Sequence, residues 1–186
     1  MIRLRLQSVE NQERSPDAEL LARVAKGDLS ALGTLYDSFA PSVLRFADRV
    51  GGHHDAEDIV QTVFVRVVHS ASSFDPRASS ARPWLFGIAT RVVLERRRSL
   101  RRFVVAVRTL AAHDVRTTEN PAEARWDIQR ALTRLTPAKR AVFVLAEAEG
   151  FTCDEIAGLL GLPVGTVWTR LHHARRELRR FHERQK

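Results

Sequence analysis

The sequence predicts an all-α protein built as two small helical domains joined by a linker. Three observations lead there. Apolar residues recur at steps of three and four along most of the chain, and no segment shows the two-residue alternation of a half-buried strand. Two stretches rich in turn-forming residues, around 70–80 and 117–121, interrupt the helical pattern. A length of 186 residues with 44% hydrophobic content suits one medium domain or two small ones, each with its own core.

Each element has its own signals. Ser15-Pro16-Asp17-Ala18-Glu19 offers an N-cap, a first-turn proline and acids at the positive end of a helix, whose short apolar face of Leu20, Leu21 and Val24 stops at Gly27. A second helix follows Asp28 and carries Leu32, Leu35, Tyr36, Phe39, Val43, Leu44 and Phe46 up to Gly51-Gly52. Pro41 either kinks it or starts a new helix. From Asp55 to Val68 the repeat of Ile59, Val60, Val63, Phe64, Val67 and Val68 is the clearest in the chain. The Ser-rich stretch 70–80 reads as a loop, and Pro83 opens a helix with Trp84, Leu85, Ile88, Val92 and Val93. Beyond Leu100 the period fades towards Thr117-Thr118-Glu119-Asn120-Pro121. Further helices fit roughly 125–135, 137–148, 152–160 and 164 to the end. The division expected is a flexible N-terminus (1–14), a first domain (15–100), a linker (101–124) and a second domain (125–186).

The net charge of +8 is unevenly spread. Residues 28–70 carry −3, residues 71–110 carry +7 and residues 151–186 carry +3. Two basic segments suit a phosphate backbone, and the acidic one between the chain's start and the first of them suits a protein partner. No apolar run approaches the ~20 residues of a membrane span, and Met1 to Leu6 does not read as a secretory signal, so a cytoplasmic protein is expected. The lone Cys153 excludes an internal disulfide and a Cys-based zinc site; its thiol, at a helix start, reads as a small residue in a capping turn rather than a redox sensor. His53-His54-Asp55 with Glu57 lies in a loop running into a helix, and such neighbours rarely reach one ion. No phosphate-binding loop, nucleophile elbow or dinucleotide fingerprint occurs. Neither an enzyme nor a cofactor nor a metal is expected.

The most specific local pattern lies near the C-terminus. Thr152-Cys153-Asp154-Glu155 has the form of a capping box. Ala157 is small where two helices would cross, Gly161 can take the left-handed conformation of a tight turn, and Val167 can pack the second helix on the first. These offsets mark a helix-turn-helix. On the second helix Val167, Leu171, Ala174, Leu178 and Phe181 form one apolar stripe. Thr169, His172, His173 and Arg176 fall opposite, with Arg170, Arg175, Arg179 and Arg180 on the shoulders, a face suited to the major groove.

Residues 151–180, FTCDEIAGLLGLPVGTVWTRLHHARRELRR, resemble region four of the extracytoplasmic-function sigma factors, group 4 of the sigma-70 family. Glu155-Ile156-Ala157, Leu160-Gly161, Pro163, Gly165-Thr166-Val167, Arg170-Leu171 and Ala174-Arg175 carry the resemblance, with Leu135-Thr136-Pro137, Arg140, Val142 and Phe143 ahead of them. In the first half, Asp55-Ala56-Glu57-Asp58-Ile59-Val60-Gln61 with Phe64 resembles the helix of region two that docks on core RNA polymerase. Phe74-Asp75-Pro76, Arg82, Trp84-Leu85 and Ile88-Ala89 resemble the part that melts and reads the −10 element. The similarity covers roughly 15–100 and 125–184, and nothing resembles the further domains of housekeeping sigma factors.

The resemblance implies a polymerase subunit that directs promoter-specific initiation, with core polymerase, promoter DNA and a cognate anti-sigma factor as partners. It assigns Asp55, Asp58, Gln61 and Thr62 to core polymerase. Ser73, Phe74, Arg82, Trp84, Arg91, Arg96, Arg97 and Arg98 go to the −10 element, where an unstacked base needs an aromatic platform and phosphates need cations. Thr166, Trp168, Thr169, Arg170, His172, His173, Arg175 and Arg176 go to the −35 element. The chain departs from the family's usual pattern at Arg91 (commonly asparagine), Glu95 (aspartate), Trp168 (a cation) and His172-His173 (arginine), so no promoter sequence carries over. A helix-turn-helix regulator that is not a polymerase subunit would share the second half but bring a receiver or ligand-binding domain in place of the first. An RNA-binding module would need exposed stacking aromatics, for which Phe74 and Trp168 are the candidates.

Overall fold

The computed structural model describes residues 15–75, 80–110 and 123–184, and within these every regular element is helical. The expected N-terminal segment 1–14 and the centre of the expected linker, 111–122, lie outside the described residues.

Helix α1 (Pro16–Val24) starts on proline and buries Ala18, Leu21 and Val24. Its exit turns on Gly27 at φ 86°. Asp28 then caps α2 (Leu29–Gly51), accepting the amides of Ser30 at 2.9 Å and Ala31 at 3.1 Å and pairing with Arg23 at 2.8 Å. The amide bond from Ala31, followed by the Arg23 guanidinium, holds its carboxyl below the usual aspartate range. Pro41 neither breaks α2 nor starts a new helix. The proline is exposed, and the buried Ala31, Leu35, Phe39, Val43, Phe46, Ala47 and Val50 hold one continuous face against the core. Tertiary burial outweighs the local penalty.

After a one-turn 3₁₀ segment (His53–Asp55), α3 (Ala56–Ser70) buries Ile59, Val60, Val63, Phe64 and Val67. A second short turn (Ala71–Ser73) leads towards α4 (Arg82–Leu110). Helices α2, α3 and α4 pack on one another, with α1 against α2. Helix α4 runs ten residues past Leu100, through the stretch where the apolar period fades. The sequence has no glycine or proline from Ile88 to Leu110 to stop it.

The second unit comprises α5 (Glu123–Arg134), α6 (Pro137–Glu147), α7 (Cys153–Leu160) and α8 (Val164–Glu183), with α6 and α7 packed on α8. Its buried residues include Leu135, Val142, Leu145, Ile156, Val167 and Leu171. The cores of the two units are continuous with each other. One contiguous apolar cluster runs through both, and the seam lies where α4 meets α7 and α2 meets α6. Phe86 of α4 is fully buried there, edge-on to Phe46 on one side and to Phe151 on the other, each at 5.4 Å between ring centres.

Candidate nucleic-acid interface and partner surface

The helix-turn-helix forms as its sequence requires. The Glu155 amide donates to Thr152 Oγ1 at 3.3 Å, and the Thr152 amide donates to Glu155 Oε2 at 2.8 Å, closing the capping box. Gly161 ends α7 at φ 65°, ψ 41°, the left-handed turn that aims α8. The Thr152 hydroxyl also donates to Glu155 Oε2, at 2.9 Å, and the amide and hydroxyl bonds from Thr152 hold the Glu155 carboxyl below the usual glutamate range. Because the folded value is the lower one, the cap's contribution is complete above the ordinary glutamate value and is lost as pH falls through the lowered one. Thr152→Ala is expected to cost about 1 kcal/mol, measured as the urea midpoint at neutral pH; an unchanged midpoint would mean that the cap is idle.

Helix α8 buries Val167, Leu171 and Ala174. Away from them Trp168 is 57% exposed, and Thr169, His172, Arg175 and Arg176 are exposed as well. Thr166, Arg170 and His173 are half-buried. Thr169 donates its hydroxyl to the Gly165 carbonyl at 2.8 Å, leaving its oxygen free to accept. Arg176 approaches His173 Nδ1 at 3.3 Å, and Arg175 pairs with Glu147 at 2.6 Å. The face therefore offers an aromatic, hydroxyl, imidazole and guanidinium groups along nine residues of one helix, without deep burial to hold any of them back.

On the first unit, α3 and α4 enclose a groove lined by Asp58, Ile59, Thr62, Arg66, Val92, Glu95, Arg96, Ser99 and Arg102. Asp55 and Asp58 both reach Arg96, at 3.2 and 3.6 Å, and Thr62 donates to the Asp58 carbonyl at 2.8 Å. Gln61 points to solvent one turn from Asp58. Arg66 bonds Glu95, which keeps that carboxyl below the usual range. The acids of this groove are matched by cations on the neighbouring helix, Asp58 by Arg96 and Glu95 by Arg66.

The comparisons with known proteins agree with both halves. The family model "Sigma-70 region 2" matches residues 35–103, and "Sigma-70, region 4" matches 125–178. The ECF RNA polymerase sigma factor SigL of Mycobacterium tuberculosis is 34% identical over 167 residues, covering 86% of this chain and 94% of its own. The chain belongs to the extracytoplasmic-function sigma factors. SigE of Mycolicibacterium smegmatis is also 34% identical, over 84% of this chain, which spans 65% of that relative's length. Among solved structures, CnrH in complex with the cytosolic domain of CnrY aligns over 91% of this chain and 99% of its own, with TM-score 0.68 and 29% identity.

A sigma factor of this family binds bacterial core RNA polymerase and directs promoter-specific initiation, and its two family regions in one chain disfavour a regulator that works apart from polymerase. Of the residues this sigma factor was expected to turn to polymerase, Asp58 and Thr62 line the groove, Asp55 reaches Arg96 from the turn before α3, and Gln61 is exposed on α3 outside the groove lining. Those assigned to the −35 element share α8. The residues assigned to the −10 element scatter. Ser73 is exposed and donates to the Ser70 carbonyl, and Arg98 is exposed. Phe74, expected as an exposed stacking platform, is instead buried at 8% exposure, its ring edge-on to the half-buried Trp84 at 5.6 Å. An apolar ring with a tryptophan beside it gains more from the core than from water. Arg97 is half-buried and donates to the Gly51 carbonyl at 2.9 Å, closing the end of α2. Arg96 is taken by the two aspartates.

Arg82 and Arg91 are turned towards the second unit. Arg82 donates to Glu149 at 3.0 Å and lies over the rings of Phe86 and Phe151, and Arg91 approaches the Leu159 carbonyl at 3.3 Å. Sequence reasoning missed this seam. Glu149, Arg49, Asp48 and Gln129, together with the buried bonds of Arg140 to the carbonyls of Val50 and Leu135, carry no local signal, because their partners lie up to 100 positions away in the chain or belong to the backbone.

Proposed function

We propose that the sigma factor divides initiation between its halves. Residues 15–100 act as region two: α3 and the turn before it, through Asp55, Asp58, Gln61 and Thr62, dock on core polymerase, while the 70–98 segment captures and opens the −10 element. Residues 125–186 act as region four, with α8 fixing register at the −35 element, and 101–124 link the two. The observation that carries this reading is the exposed polar face of α8, opposite a buried stripe and aimed by a left-handed glycine turn. The chain works in the cytoplasm and has no catalytic activity of its own. No helix among the described residues is long and apolar enough to cross a membrane. A cognate anti-sigma factor is a further partner, a reading supported by CnrH having been solved with the cytosolic domain of CnrY.

The direct test is run-off transcription with bacterial core polymerase on genomic DNA from the source. Discrete start sites sharing two upstream elements are expected; no start, together with no association with core enzyme, would reject the assignment. Asp58→Ala and Gln61→Ala are each expected to weaken association with core polymerase by about fivefold, the scale of one contact at the edge of an interface. Both side chains are exposed, so melting temperature should hold; unchanged holoenzyme formation would remove α3 from the docking face.

A further inference from the structure

The −10 and −35 elements lie about 25 base pairs apart, which is about 85 Å of duplex at 3.4 Å per step. In this structure the two domains touch: Arg82 and Arg91 of α4, both assigned to the −10 element, bond into the second domain. Gly87 marks how closely the helices meet, since a Cβ there would lie 3.0 Å from the Leu159 carbonyl oxygen. A chain in this state cannot hold both promoter elements. The domains must part, and whatever holds them together sets how much of the free protein can engage DNA.

We propose that Glu149 is the latch of this closed state, an internal stand-in for a promoter phosphate; the stand-in role rests on the assignment of Arg82 and Arg91 to the −10 element. Glu149 sits in the turn between α6 and α7 with its side chain 6% exposed. One carboxylate oxygen accepts from Arg82 at 3.0 Å, and the other faces Arg49 at 3.8 Å, both guanidiniums belonging to the first domain. Arg82 is held further by the rings of Phe86 and Phe151, its carbon 5.1 and 4.6 Å from their centres. The apolar part of the seam does not discriminate between states of the nucleic acid. The ionic part does. A carboxylate and a phosphate offer a guanidinium the same charge-assisted bonds, so DNA at α4 replaces what opening removes. The free chain is thereby closed to DNA yet ready to exchange one anion for another.

The test uses the full chain with Cys153→Ser and dyes on Asp37→Cys and Glu183→Cys, exposed positions in the two domains, read by single-molecule energy transfer. Glu149→Gln is expected to raise the open-to-closed ratio about fivefold, the scale of one partly screened charge-assisted bond. In the wild-type sequence the ratio should also rise as salt goes from about 0.1 to about 0.5 M, and in Glu149→Gln it should respond much less. Glu147→Gln removes the same charge two residues away, from a pair with Arg175 inside the second domain, and should leave the ratio unchanged. In parallel, binding of a fluorescent single-stranded oligothymidylate should tighten about threefold in Glu149→Gln relative to Glu147→Gln. An unchanged ratio in Glu149→Gln, or an equal rise in Glu147→Gln, overturns the latch. A raised ratio without tighter oligothymidylate binding supports the latch and rejects the assignment of Arg82 and Arg91 to the −10 element.

Discussion

Phe86→Ala is expected to destabilise the protein by about 3–5 kcal/mol, the largest effect of any single substitution considered. The ring is fully buried and held on three sides, by Phe46, by Phe151 and by the Arg82 guanidinium 5.1 Å away. Alanine leaves a cavity at the point where the two domains share their core, and α2 on one side and the Phe151 ring of the second domain on the other, each fixed by its own packing, cannot close over it. Against a total of about 5–15 kcal/mol for a domain, most of the margin goes. Urea denaturation followed by circular dichroism measures it, with Phe86→Leu as the milder companion at about 1.5 kcal/mol. A cost below about 1 kcal/mol for the alanine variant would mean that the seam does not form in solution. Because Phe86 touches both units, its loss should also merge with the effect of Glu149→Gln rather than add to it.

The second large effect is on transcription. Thr169→Ala combined with His173→Ala should reduce initiation at a −35-dependent promoter by about 10- to 100-fold, since a specific base contact contributes about 1–3 kcal/mol. The folded state should scarcely change: Thr169 is exposed, and His173 is half-buried with Arg176 as its polar neighbour. Run-off transcription on one mapped promoter gives the loss, and thermal melting gives the control. The same pair should matter far less at a promoter whose −35 element is scrambled. A uniform loss at both promoters would turn these side chains into general phosphate contacts, and no loss would take the α8 face out of −35 readout.

These effects differ in how visible they are in the sequence. Thr152, Glu155, Gly161 and Val167 lie within sixteen positions, and each acts on its own turn or the next, so spacing alone reports the capping box, the left-handed turn and the stripe behind the exposed face of α8. The same holds for the apolar faces of α2 and α3. Pro41 and the far end of α4 read less well. A proline penalty and a fading period are local signals, and burial on one side or the absence of any breaker on the other outweighed them.

Phe74, Arg82, Arg91 and Arg97 mark the limit. By residue type and neighbours each suits nucleic acid, and in the folded chain each meets something else first: Trp84, Glu149, the Leu159 carbonyl and the end of α2. Local order therefore determined the helices, their caps, the helix-turn-helix and the family. The shared core and the clasp of Arg82 by Glu149 arose only when α4 came to lie against the second unit, because contacts between residues 67 positions apart depend on where helices cross, and no short stretch of sequence records that crossing.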